Sequence, residues 1–353
     1  MNQKNILIKI TKISVFVGLY WLVFASCFSL GSVAADIDEQ LQNPVNNIQE
    51  EKQREEADKL LRLGVQQEKS GQWEKAILSW SQALEIYRRI GDTSAMGLVY
   101  DRLSLVYASL GNYREAEDAM RRRLGLARDN KDFQGQIYGL NNIGTILLKK
   151  QSFVEARNAF EEALAIARNI KNEEGEGLSL SNLGLVAVNL RQYDRAIVTY
   201  EQALKLQQFG NNPIGEANTL NNMGDVYRLV ERYSDAIIYY GMAMRLAKQI
   251  FDSNNEIRAI DGLIATHASA KRYSLTLELL NQRLSLAQKL ENPRQELQSL
   301  RMLGELNQTL GNHPAARKFY QQALALSRSL KDNKTEAALL AKLSQVMWRN
   351  VPE

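Results

Sequence analysis

One spacing constrains this chain more than any other feature. Ala76, Ala116, Ala156, Ala196, Ala236, Thr276 and Ala316 lie 40 residues apart, with no insertion or deletion across seven copies. Around them the same skeleton recurs. The clearest copy reads Leu220, Asn221, Asn222, Met223, Gly224, Tyr227, Tyr233, Ala236, Tyr240 and Ala243. Its predecessors carry Leu180, Asn182, Leu183, Gly184, Ala196 and Tyr200, and Leu140, Asn142, Ile143, Gly144, Ala156 and Phe160. A fixed period of this length predicts a solenoid, in which each unit buries its apolar face only by stacking on the next.

Each copy divides into two amphipathic helices. Leu220, Met223, Gly224 and Tyr227 follow the i, i+3, i+4, i+7 spacing of one buried face, and Tyr233, Ala236, Ile237, Tyr240 and Ala243 do the same. Asp92, Asp132, Asn172, Asn212, Asp252, Asn292 and Asp332 share one position between copies, where a short polar acceptor caps the next helix. Pro213 and Pro293 follow two of these caps, where a missing N–H costs nothing. Glu173, Glu174 and Glu176 then read as acids placed favourably at a helix start. The glycines of the first helices are expected to face the alanine series of the second, so that the two backbones approach closely. The sixth copy departs, with Ile264, Thr276, Leu280 and Arg283 at small or aromatic positions, either by drift or to change curvature.

These residues resemble the tetratricopeptide repeats, whose large apolar, Leu-Gly, Tyr, Ala and aromatic positions are met by Leu180, Leu183, Gly184, Ala196 and Tyr200. The resemblance covers residues 57–336. The period of 40 replaces the usual 34, and Arg88, Arg128, Arg168, Gln208, Lys248, Gln288 and Arg328 stand where proline ends the second helix. That longer variant is similar to the repeats of kinesin light chains, of Leu-Gly-Asn-rich polarity scaffolds and of exported bacterial repeat proteins. The resemblance implies an all-α fold: a right-handed superhelical α-solenoid of seven helix pairs, with a C-terminal capping helix over residues 337–353. It implies no cofactor and a protein or peptide ligand in the concave groove lined by the first helices.

The termini carry a different signal. Lys4, Lys9 and Lys12 precede an apolar run from Ile13 to Phe28, and small residues lead to Ala34 and Ala35. Residues 1–35 therefore read as an export signal cleaved near Ala35 or, uncleaved, as a membrane anchor. A third reading, lipid attachment at Cys27, has Phe24 against it. Each puts the array across a membrane: periplasmic, luminal or extracellular. Residues 36–56 read as a polar tether, turning helical near Glu50. Without the first 35 residues the formal charge of +4 falls to +1, which argues against nucleic acid as a partner. Cys27 is the only cysteine, so no thiolate metal site or disulfide can form in the array.

Catalytic constellations are missing. His267 and His313, the only histidines, take the places of Tyr227 and Tyr233 and are expected to pack as aromatic substitutes. Arg121, Arg122 and Arg123 point in different directions on a helix and read as a solvated face. The chain is expected not to be an enzyme. The candidate ligand-binding residues are instead those beside the buried set on the first helices: Asn142, Asn182 and Asn222 in register, with Asn141, Asn221, Tyr138, Lys149, Asp225 and Arg228. An amide offers a donor and an acceptor, matching the backbone of an extended peptide. The same amides can instead bond neighbouring helices and hold the repeats together. The function expected is an exported interaction scaffold, the alternative a receptor that senses a small peptide.

Overall fold

A computed structural model describes residues 37–348. The segment expected to direct export, with Cys27, and the last five residues of the expected capping segment lie outside it. Among the described residues there are fifteen α-helices and no strand. They fall into two units, divided after Asp92.

The first unit holds α1 (Ile37–Lys69) and α2 (Trp73–Arg89). Trp80 Nε1 donates to the Leu61 carbonyl at 3.2 Å and Tyr87 Oη to Asp58 at 2.5 Å, fixing one helix against the other. The stretch expected to be a tether is helical from Ile37, not from Glu50, with Pro44 inside it. The good helix formers Glu39, Gln40, Leu41 and Gln42 favour this, against a proline that costs an interior helix about 3 kcal/mol.

The second unit continues as α3 (Thr93–Ser109), α4 (Tyr113–Asp129), α5 (Phe133–Lys149), α6 (Phe153–Asn169), α7 (Glu173–Asn189) and α8 (Tyr193–Phe209). It goes on through α9 (Pro213–Leu229), α10 (Tyr233–Gln249), α11 (Ser253–Ser269), α12 (Tyr273–Lys289), α13 (Pro293–Thr309), α14 (His313–Ser329) and α15 (Asn333–Trp348). Within this unit each helix packs on the next. Successive first helices also touch, α5 with α7, α7 with α9 and α9 with α11, so the first helices form the inner side of the stack.

The punctuation follows from backbone chemistry. The predicted caps Asp132, Asn172, Asn212, Asp252, Asn292 and Asp332 accept from the backbone N–H three residues on, at 2.7–3.1 Å. Helix ends close in the Schellman manner. Asp132 N–H bonds the Ala127 carbonyl and Asn172 N–H the Ala167 carbonyl, both at 2.8 Å, across Lys131 and Lys171 at positive φ. Gly71, Gly91, Gly111 and Gly311 fill that left-handed position in four turns, and side-chain-bearing residues fill it in the others.

The first-helix glycines have a sharper role than the one expected. What lies nearest a Cβ added at Gly64, Gly144, Gly184, Gly224 or Gly304 is the ring of Trp80, Phe160, Tyr200, Tyr240 or Tyr320, sixteen residues on. The two copies without that glycine, at Ser104 and Ile264, have no ring either, but Met120 and Leu280. Close approach to the alanine series also occurs, since Ser104 Oγ donates to the Ala116 carbonyl at 3.0 Å. At the C-terminal end Leu339, Leu343 and Val346 of α15 cover the last pair. Leu340 matches Leu220, which packs with Ala243 of its own pair and Ala259 of the next; with no such neighbours, Leu340 stays 45 % exposed.

Candidate functional site: the first-helix face of the second unit

The structure separates the predicted site residues into two groups. Asn141 and Asn221 are buried, at 2 % and 0 % exposure. Asn141 Nδ2 donates to the Ile137 carbonyl at 2.9 Å and to Ser179 Oγ at 3.0 Å, and its Oδ1 accepts from Asn182 Nδ2 at 2.8 Å. Asn221 Nδ2 donates to Asn255 Oδ1 at 3.1 Å. Asn222, also buried, donates to Ser181 Oγ at 3.3 Å and accepts from Arg258 Nη2 at 2.6 Å. These four amides are engaged between adjacent first helices. The ladder stops in the sixth copy because Gly262 stands there, and the Tyr240 ring fills the space its Cβ would need.

The other group lies at the surface. Asn142 and Lys149 are exposed and Tyr138 is half-buried, its Oη donating to Glu174 at 2.9 Å. Asp225 and Arg228 are half-buried. The Asp225 carboxylate accepts from Tyr240 Oη at 2.6 Å and from Arg258 at 2.8 Å. Burial first, then the Asp225 charge, raises the Tyr240 phenol well above its usual range, so that it stays a donor. Arg228 Nε is buried without a hydrogen-bond partner.

Tyr138 and Asn142 share a recess of about 510 Å³ between α3, α4 and α5. Its other members include Leu105, 57 % exposed, Met120, Gly139 and the pair Asp101–Arg123, of which sequence reasoning missed Met120, Gly139 and Arg123. The recess forms because the second copy lacks the aromatic ring and the third has glycine at 139, where the fourth and fifth have Ser179 and Thr219. Arg121 and Arg122 are exposed and pair with Glu117 and Asp118 on their own helix. Arg123 does not belong to that solvated face: it is half-buried and reaches the recess. The signal that finds it is arginine at a position where five copies carry alanine.

His267 is buried as an aromatic substitute, and burial, then the Arg272 charge, lowers its pKa from 6.5. His313 is half-buried. Among the described residues no group of three or more His, Cys, Asp or Glu is placed to hold a metal ion. No described helix is long and apolar enough to cross a membrane.

Paired helices on a strict period, stacked through their first members, define an α-solenoid with an inner groove. The tetratricopeptide repeat model matches residues 55–129, 136–208, 177–249 and 256–329, and the chain belongs to that family. No curated protein matches it in sequence. Solved structures share the fold at low identity. Aspartyl phosphate phosphatase F from Bacillus subtilis is 14% identical with a TM-score of 0.57, covering 89% of this chain and 75% of its own. BtubC (BKLC) from P. vanneervenii is 19% identical with a TM-score of 0.53, covering 62% and 92%. A Rap protein solved in complex with competence and sporulation factor is 11% identical with a TM-score of 0.53, covering 85% and 98%.

Proposed function

We propose that this protein is an exported, non-enzymatic interaction scaffold that holds an extended segment of a partner protein against the first helices of its second unit. The observation that carries the reading is the recess between α3, α4 and α5, where exposed Leu105 and Asn142 and half-buried Tyr138 surround about 510 Å³ on the inner side of the stack. Concave sites lined by apolar surface and a few polar groups are where proteins hold ligands. Membership of the repeat family supports the reading, and so does the Rap protein of like fold, captured with a bound factor. Export rests on Lys4, Lys9 and Lys12, the apolar run to Phe28 and the small residues up to Ala35.

The test places a photo-crosslinking amino acid at Asn142, on the inner side, and at Ile238, an exposed residue of the second helix α10, in the full chain in its own cells. The expected result is a defined partner adduct from position 142 and none from 238. Equal crosslinking from both removes the groove reading. Deleting residues 1–35 is expected to leave the protein in the cytoplasm, and unchanged fractionation removes the export reading.

A further inference from the structure

Two copies of the repeat share a substitution that the other five lack. Arg123 and Arg283 occupy the position held elsewhere by Ala83, Ala163, Ala203, Ala243 and Ala323. In the same two copies, and in no other, an aspartate stands across from the arginine, Asp101 and Asp261. Both copies also lack the glycine–ring pair. The substitutions occur together in the second and sixth copies.

In the sixth copy the arginine is fully satisfied. Arg283 is 1 % exposed and pairs with the Asp261 carboxylate through Nε at 2.5 Å and Nη2 at 3.2 Å. Its Nη1 donates to the Gln295 main-chain carbonyl at 3.0 Å and to Ser299 Oγ at 2.7 Å, and Nη2 donates to Gln295 Oε1 at 2.7 Å. Beyond the aspartate, then, it uses three neutral oxygens. In the third copy the residues matching Gln295 and Ser299 are Gly135 and Gly139, so the two side-chain oxygens are absent and only the main-chain carbonyl of Gly135 remains. Arg123 Nε lies 3.4 Å from Asp101 and Nη2 3.8 Å from Asp132, and Nη1 has no acceptor among the described residues. The place of the missing acceptors is the recess of about 510 Å³, walled by Leu105, Ala108, Met120 and Ile146.

We propose that this recess is a binding subsite for a peptide segment, taking a neutral backbone amide oxygen on Arg123 Nη1 and the bulky apolar side chain beside it against Leu105, Met120 and Ile146. The subsite rests on the groove reading above and names its ligand chemistry. The oxygen is neutral because Asp101 and Asp132 already face the guanidinium, so an anion would meet two carboxylates. A half-buried guanidinium nitrogen with no protein acceptor gains from an oxygen placed against it. The apolar walls, with no ring from Met120 to fill them, supply area to an aliphatic or aromatic side chain.

The probe is N-acetyl-phenylalanine amide, titrated into the full chain with ¹⁵N-labelled arginine and read on the arginine side-chain resonances. The expected result is a saturable shift of the Arg123 signal. N-acetyl-glycine amide, which keeps the oxygen and loses the side chain, is expected to bind at least tenfold more weakly. Toluene, which keeps the ring and loses the oxygen, should do the same. The variant Gly139→Ser restores the hydroxyl that Arg283 uses in the sixth copy, at a position where an added Cβ meets nothing closer than 3.5 Å. It is expected to lose at least tenfold in probe affinity with its melting temperature unchanged or raised, a pairing that misfolding cannot produce. No saturable shift, equal binding of the three probes, or full binding by Gly139→Ser overturns the subsite. Crosslinking from Asn142 with no probe binding overturns the subsite and leaves the groove reading standing; probe binding with equal adducts from 142 and 238 does the reverse.

Discussion

A β-carbon built on Gly224 would lie 2.6 Å from Cδ1 of the Tyr240 ring, closer than carbons approach without something moving. The ring, 1 % exposed, is held at its far end by the bond to Asp225, so it cannot swing aside cheaply. Glycine here is a requirement of packing, since Gly224 is an ordinary helical residue.

Gly224→Ala is therefore expected to destabilise the fold by about 1–3 kcal/mol through overpacking. Tyr240→Met, which copies the residue of the second repeat, is expected to remove most of that penalty in the double variant. Chemical denaturation of the four proteins of the cycle checks it. Additive single and double effects would falsify the pairing.

The repeat, its helix phase and its caps are legible in the chain because each depends on local chemistry. Asn172 caps α7 by reaching its own neighbour Gly175, and no distant residue has to be known. The glycine–ring pairing is legible too, as the joint change at Ser104 with Met120 and at Ile264 with Leu280. The direction of an amide is not. Asn141 and Asn142 are adjacent in sequence, yet one bonds Ser179 and Asn182 of the next pair and the other faces out. That outcome depends on which side chains the next repeat brings, a long-range fact. Pro44 inside α1 is likewise hidden, because the rule against interior proline is local and the helix forms despite it.

The two amides of the ladder that differ most should separate by stability. Asn222→Ala removes one of the two acceptors of Arg258 and the donor to Ser181, and is expected to cost about 1–2 kcal/mol. Asn142→Ala removes only a 4.0 Å contact with the Met120 sulfur and is expected to change stability by less than about 0.5 kcal/mol. Equal denaturation midpoints for the two variants would contradict the division of the ladder.

Phe251 sits at φ +59°, 93 % exposed, in a turn position that Gly91 and Gly311 fill elsewhere. A side chain costs roughly 1–2 kcal/mol in that region, partly offset by the greater freedom glycine has when unfolded. Phe251→Gly is therefore expected to raise stability by about 0.5–1 kcal/mol, since no packing is lost. The converse, Gly311→Ala, is expected to lower it by a similar amount. Thermal unfolding of both variants measures the pair.

Arg283→Ala is expected to be the most damaging of these changes. It leaves the Asp261 carboxylate, Gln295 Oε1 and Ser299 Oγ without their arginine donor, and with Asp261 partly solvated the cost falls toward the lower end of the about 3–5 kcal/mol for breaking a buried pair from one side. Replacing both members, Arg283→Ala with Asp261→Ala, is expected to recover part of the loss, because the stranded charge is gone. If the double variant is no more stable than the single one in urea titrations, the arginine acts through packing and not through the pair.

His267 gives the fold a pH dependence of definite sign. Its folded pKa lies below the ordinary 6.5, through burial first and the Arg272 charge second. The unfolded chain therefore binds the proton more readily than the folded one. Well above pH 6.5 both states are neutral at this ring and it contributes no pH dependence. As pH falls from 6.5 toward the folded pKa, protonation favours the unfolded state and stability is lost. His267→Phe keeps an aromatic body in the place that Tyr227 fills in the fifth copy and removes the titration. The fall in melting temperature between pH 7.5 and pH 5.5 is expected to be smaller in the variant than in the parent protein. Parallel falls would assign the acid sensitivity of the fold to its carboxylates alone.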